Sequence, residues 1–183
     1  MAIQLDVSTL NLQDMLDMAV LIEKEAEERY LVFAEQLGER YPGDAADFFT
    51  KMARNEHKHG VELTERRRLL FGNSPSRVGD MMESEVEAPE LEKAVRYMTP
   101  RHALEVALES EVKAYEFYDR VLVADQSLNN ILDPEVRNLI KDLRDEEVEH
   151  QRILNEMKTR YPDTSKTDYD PDIDGLNTYH QIT

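Results

Sequence analysis

Five histidines are spread along the 183 residues: His57, His59, His102, His150 and His180. Two of them follow a glutamate by three positions, as Glu56-x-x-His59 and Glu147-x-x-His150. On a helix, residues three apart share a face about one turn apart. A carboxylate and an imidazole placed so can hold one metal ion, or two adjacent ones. Two further stretches read Glu-x-x-Ala-x-x-x-Tyr: Glu23, Ala26 and Tyr30 in one, Glu111, Ala114 and Tyr118 in the other. Seven positions are two helical turns, so the three side chains of each stretch point the same way. The alanine leaves room beside the glutamate, and the tyrosine can hydrogen-bond across a core.

The chain is therefore an internal repeat, a Glu-x-x-Ala-x-x-x-Tyr stretch followed by a Glu-x-x-His stretch in each half. The leading glutamates are 33 residues apart in the first half (23 to 56) and 36 in the second (111 to 147). A near-twofold arrangement of helix pairs follows, with the ligands converging on its axis. Four inward carboxylates would oppose folding unless cations compensated them, and metal is the simplest compensation. The chain has no cysteine, which excludes disulfides, Fe–S clusters and thiolate metal sites. Oxygen donors with two imidazoles suit iron or manganese, and zinc can compete. Other acidic and imidazole side chains read as solvated or hydrogen-bonded surface groups: Glu25, Glu27, Glu28 and Glu116, and His57, His102 and His180.

The elements that must position these residues are legible from helix signals. Abundant Glu, Leu, Ala, Lys and Arg favour helix throughout. A first helix is expected over about 12–40, opened by Asn11 with Asp14 and closed by Tyr41-Pro42-Gly43. A second is expected over 45–71, capped by Asp44 and followed by Gly72. Thr99-Pro100 opens a third, over 100–123, and Asp133-Pro134 opens a fourth, over 134–160. At ~1.5 Å per residue such helices are about 36–44 Å long, so a buried mid-height site is possible. The first two are joined by a short turn and must be antiparallel. The stretch 73–88 reads as a connector long enough to cross the bundle, and Pro89 could open a short helix through Tyr97. One long crossover between two antiparallel pairs makes an all-α, ferritin-like four-helix bundle, up-down-down-up. A bundle domain over 1–162 and an acidic, extended or disordered tail over 163–183 are expected. The tail's Asp170-to-Gly175 run lacks the glutamate that a calcium loop of this type requires.

The formal net charge of −17 makes nucleic acid and anionic membrane poor partners and cations good ones. No apolar run approaches membrane-spanning length, and the N-terminus does not read as a secretory signal. A cytoplasmic location is the expectation.

The stretch Glu23-Lys24-Glu25-Ala26-Glu27-Glu28-Arg29-Tyr30-Leu31-Val32-Phe33-Ala34 resembles the first-helix motif of the rubrerythrin branch of the ferritin-like superfamily, Glu-x-x-Ala-x-x-Arg-Tyr-x-x-Phe-Ala. Asn55-Glu56-His57-Lys58-His59 and Glu146-Glu147-Val148-Glu149-His150 resemble its two Glu-x-x-His helices. The resemblance implies two iron ions (manganese or zinc as variants) on six ligands: Glu23, Glu56, His59, Glu111, Glu147 and His150. By the family pattern Glu56 and Glu147 bridge, Glu23 and Glu111 are terminal, and each histidine binds one iron. Tyr30 and Tyr118 would lie just behind the ligands and assist catalysis. Two departures stand out. The family's extra glutamate, three residues after the third-helix ligand, is Ala114 here. The cysteine-ligated rubredoxin iron centre has no counterpart in these residues. The implied activity is a di-iron oxidoreductase that reduces hydrogen peroxide or dioxygen, supplied with electrons by an external donor protein. A ferroxidase and a non-enzymatic metal-binding bundle are the alternatives, with catalase chemistry at manganese a further variant. A homodimer or larger homo-oligomer is expected.

Overall fold

A computed structural model describes residues 10–38, 40–76, 78, 99–127 and 132–161. These form four helices: α1 (Leu12–Leu37), α2 (Ala45–Phe71), α3 (Pro100–Ser127) and α4 (Pro134–Lys158). The expected short helix after Pro89, most of the 73–88 connector and the 163–183 tail lie outside the described residues. Among the described residues no helix is long and apolar enough to cross a membrane.

Each helix begins where a side chain satisfies its free amides. The Asn11 side chain accepts from the Asp14 N–H at 3.0 Å, and the Asp14 carboxylate accepts from the Asn11 N–H at 3.2 Å, a reciprocal capping box. Asp44 caps α2 through the Asp47 N–H at 2.9 Å. The Thr99 hydroxyl accepts from the His102 N–H at 3.1 Å. Asp133 accepts from the Glu135 N–H at 3.0 Å, and Pro134 occupies the first turn of α4.

Three ends differ from the sequence-based bounds. α1 stops at Leu37 rather than at position 40, because Gly38 adopts φ 65° and its N–H bonds back to the Ala34 carbonyl. α3 runs on to Ser127 rather than stopping at position 123. Its extra turn carries Asp125, fully buried, which accepts from the Leu132 N–H at 2.7 Å and from Arg137 Nε at 2.5 Å. That carboxylate ties the end of α3 to the start of α4. Third, α4 ends at Lys158, two residues short of 160.

α1 packs closely along α2 and α3 along α4; between the pairs, α1 meets α3 and α2 meets α4 with wider backbone spacing. The apolar core falls into two layers. One joins Met15, Leu16, Met18 and Ile22 of α1 to Leu63 of α2, Phe117 and Val121 of α3, and Ile140 and Leu143 of α4. The other joins Tyr30 and Phe33 of α1 to Phe49 and Met52 of α2, Leu104 and Ala107 of α3, and Leu154 and Met157 of α4. The first layer thus takes the early part of α1 and α4 and the late part of α2 and α3. That is the up-down-down-up order of a ferritin-like bundle, with the crossover between α2 and α3. On every helix the candidate ligands fall between the two layers.

Candidate metal centre

The helical register that builds the apolar stripes also turns the ligands inward. Glu23 continues the face of Ala19 and Ile22 and precedes Tyr30 on it. Glu56 and His59 follow Met52 on α2, Glu111 follows Ala107 on α3, and Glu147 and His150 lie between Leu143 and Leu154 on α4. None of the six is more than 7% exposed.

The side chains converge around the two imidazoles. His59 Nδ1 is 3.3 Å from Glu23 Oε2 and 3.4 Å from Glu56 Oε2. His150 Nδ1 is 3.4 Å from Glu56 Oε1, 3.1 Å from Glu111 Oε2 and 3.7 Å from Glu147 Oε2. Glu56 therefore offers one oxygen to each histidine. The rings are nearly parallel, 18° apart in plane with centroids 6.2 Å apart. Two groups could each hold an ion, Glu23–Glu56–His59 and Glu56–Glu111–His150, with donor atoms within 4.8 Å of one another. They share Glu56. Glu147 belongs to neither group and stands beside the second, nearest to His150.

The electrostatics are those of a site dominated by buried carboxyl groups. Glu23 Oε2, Glu56 Oε1 and Glu147 Oε2 are buried without a hydrogen bond, a costly state for a carboxylate. Burial pushes the Glu23 carboxyl up to about 7; His59 pulls against this and Glu56 adds to it. Burial, then the Glu111 charge, holds Glu147 well above the usual carboxylate range. The histidines move the other way from what burial favours. Burial presses His59 toward neutrality, but the carboxylates of Glu23 and Glu56 outweigh it and raise its pKa to about 10. His150 likewise reaches about 9 against burial, through Glu111 and Glu56. Protons here do what metal ions would do. With the imidazoles neutral, four carboxylates would balance two divalent cations, and the orphaned oxygens supply their ligands. The residues fit a two-metal group.

Tyr118 donates its hydroxyl proton to Glu23, and burial, then the Glu23 charge, raises its pKa well above the ordinary phenol value. Tyr30 is equally buried, but its hydroxyl has no hydrogen-bond partner; the ring stacks on Phe49 at 5.6 Å, inside an apolar layer. Ala114 is buried, so a methyl group stands where the family resemblance has an extra carboxylate. Glu28 and Glu116 are exposed, while Glu25 and Glu27 are partly covered. His57 is exposed and pairs with Glu27 at 3.0 Å, and His102 is partly exposed on the first turn of α3. His180 lies outside the described residues.

Two residues beside the centre escaped the reading of the spacings. Glu146, on the exposed side of α4, reaches His59 Nε2 at 2.6 Å. Arg29 is buried on α1, and its Nε–H has no acceptor among the described residues. Burial lowers its pKa, and the charges of Glu25 and Glu111 offset part of that. Arg29 was visible in the motif that carries the resemblance; the contact of Glu146 is made between helices and has no local signal.

Comparison with known proteins agrees with this architecture. An uncharacterized conserved protein from Magnetospirillum magnetotacticum MS-1 is 30% identical, with a TM-score of 0.66, covering 84% of this chain and 97% of that one. A hypothetical protein from Pyrococcus furiosus is 22% identical over 82% of this chain and 89% of its own, with a TM-score of 0.60, and shares the fold. No curated protein matches. The rubrerythrin family profile matches residues 14–158, a span that takes in all six converging side chains, and the chain belongs to the rubrerythrin family.

Proposed function

We propose that the protein is a di-iron oxidoreductase of the rubrerythrin type that reduces hydrogen peroxide, or dioxygen. The observation that carries this reading is the pair of metal-competent groups sharing Glu56, with unsatisfied carboxylate oxygens in the same buried layer. Glu23 and His59 would hold one ion, Glu111 and His150 the other, with Glu56 and Glu147 between them. Two ferrous ions bound there would supply two electrons and Lewis acidity, enough to take hydrogen peroxide and two protons to two waters.

The chain's own residues prepare that chemistry. The apolar layers above and below keep the site dry and its charges strongly coupled. Tyr118 holds Glu23 through its hydroxyl, so this carboxylate meets its ion in a fixed orientation. Each histidine turns Nδ1 toward the carboxylates, which aims a nitrogen lone pair at the ion once the proton leaves. No cysteine-based redox centre exists within these residues, so electrons for turnover would come from a donor protein.

The test is anaerobic loading of metal-free protein with Fe²⁺, followed by rapid mixing with peroxide or with oxygen. Oxidation by peroxide much faster than by oxygen supports the proposal. Fast oxygen consumption with release of ferric iron would identify a ferroxidase instead. Two bound ions that neither oxidant touches would leave a structural metal-binding bundle.

A further inference from the structure

The repeat relates the two halves of the centre, yet their surroundings are unequal. His59 is held from both sides: Nδ1 faces Glu23 and Glu56, and Nε2 meets Glu146 Oε2 at 2.6 Å. Glu146 directly precedes Glu147 on α4. The repeat places Asn55, an uncharged amide, in the corresponding position before Glu56 on α2. The other half differs in the opposite sense. Arg29, six residues after Glu23, is 7% exposed and its Nε–H lacks an acceptor among the described residues. Six residues after Glu111 the repeat places Phe117, an apolar core residue. Glu25, on Arg29's own helix, and Glu111, across the bundle, are the acidic groups whose charges reach it. Thus one half carries an additional carboxylate on its imidazole, and the other has an additional buried cation within reach of its glutamate's charge.

We propose that the two metal positions differ in affinity, that the position made by Glu23, Glu56 and His59 is the tighter and fills first, and that Glu146 and Arg29 set the difference. The proposal rests on the two-metal reading above. Glu146 is a positioning residue. By accepting from Nε2–H it fixes the tautomer that leaves the Nδ1 lone pair for the ion, and it makes that nitrogen a better donor. Tyr118 orients Glu23 in the same half. Arg29 acts through space. In a buried layer its positive charge opposes a divalent ion at Glu111 and His150 more strongly than it would in water. Glu25 offsets part of this charge without removing it. A chain with one ion bound is then the species at low metal, and two-electron chemistry begins only when the second position fills.

The test is an anaerobic titration of the metal-free full chain with Mn²⁺, followed by calorimetry and by the electron paramagnetic resonance of free Mn²⁺. Two ions per chain are expected, in two steps separated by on the order of tenfold or more in affinity. Glu146→Gln, at an exposed position, should weaken the first step by roughly tenfold and leave the second in place. Arg29→Gln should tighten the second step by about tenfold and narrow the gap. If burial of the amide prevents folding of that variant, Glu146→Gln still decides. His150→Ala should keep one ion near the first-step affinity, and His59→Ala should keep only weak binding. Two indistinguishable steps in the unaltered protein, or the reverse order in the two histidine variants, would overturn the proposal. So would Glu146→Gln shifting both steps alike. Saturation at fewer than two ions would overturn the two-metal reading itself, and that outcome is recognised by stoichiometry rather than by step separation.

Discussion

The layer built on Phe33, Phe49, Leu104 and Leu154 and the layer built on Leu16, Met18, Leu63 and Ile140 bury apolar side chains from all four helices. Between them the same helices bury four carboxyl groups and two imidazoles, three of whose oxygens find no hydrogen bond. The end layers favour folding by removing apolar surface from water. The middle layer favours it only when protons or cations occupy it. The comparison separates what holds the bundle together from what the bundle is built to hold.

The largest effect should come from an end layer. Phe49 is fully buried and touches the rings of Tyr30, Phe33 and Phe48. Phe49→Ala should cost about 3–5 kcal/mol in chemical denaturation, by a similar amount with and without metal. A much larger loss in the metal-loaded state would show that the layers are not independent. Metal should act on the middle layer alone. At about a hundred times its dissociation constant, a ligand of the folded state adds roughly 2.7 kcal/mol per site, read as a rise in Tm that a chelator reverses.

The pH dependence sharpens the same contrast. In the metal-free protein Glu23 is raised from 4.5 to about 7, first by burial. His59 is raised from 6.5 to about 10 by Glu23 and Glu56 against burial. Both groups bind protons more tightly folded than unfolded. The stability from Glu23 is present below pH 4.5 and lost as pH rises through 7; that from His59 is present below 6.5 and lost through 10. Glu23→Gln should flatten the first of these losses in a Tm-versus-pH series. Because metal must displace these protons, the Tm gain on loading should grow with pH; a gain independent of pH would mean that the ions bind elsewhere. A smaller effect is expected at Glu147, whose carboxyl burial holds well above the usual carboxylate range. Glu147→Gln keeps that shape, so metal-free stability should change little while the metal-dependent gain falls. Smallest is the cap: Asn11→Ala should cost about 1 kcal/mol with no effect on metal binding.

Much of this organisation was legible before any coordinates, because it is periodic. Apolar stripes, caps at Asn11, Asp44, Thr99 and Asp133, Glu–His pairs spaced three apart and Glu–Tyr pairs spaced seven apart are local signals, and they lead to the four helices and the inward face of each. What was missed depends on contacts between segments. The end of α3 was placed at position 123 because the sequence around Ala124 is polar; Asp125 belongs to the helix through its bonds to Leu132 and Arg137. The end of α1 is the exception, since Gly38 is a local signal: its positive φ ends the helix before Tyr41-Pro42-Gly43. Glu146 has no role in the spacing pattern, since nothing near it in sequence reveals that His59 lies across from it. The asymmetry of the two halves is likewise invisible in a repeat that matches so well at the ligands.

The central claim is that one buried layer holds two ions through a shared carboxylate, and Glu56 tests it most directly. Equilibrium binding of ferrous iron under anaerobic conditions, counted per chain by Mössbauer spectroscopy, should give two ions for the unaltered protein. Glu56→Ala should weaken both together while circular dichroism reports intact helices. Two ions retained in the Glu56→Ala protein with undiminished affinity, or fewer than two at saturation in the unaltered one, would contradict the account.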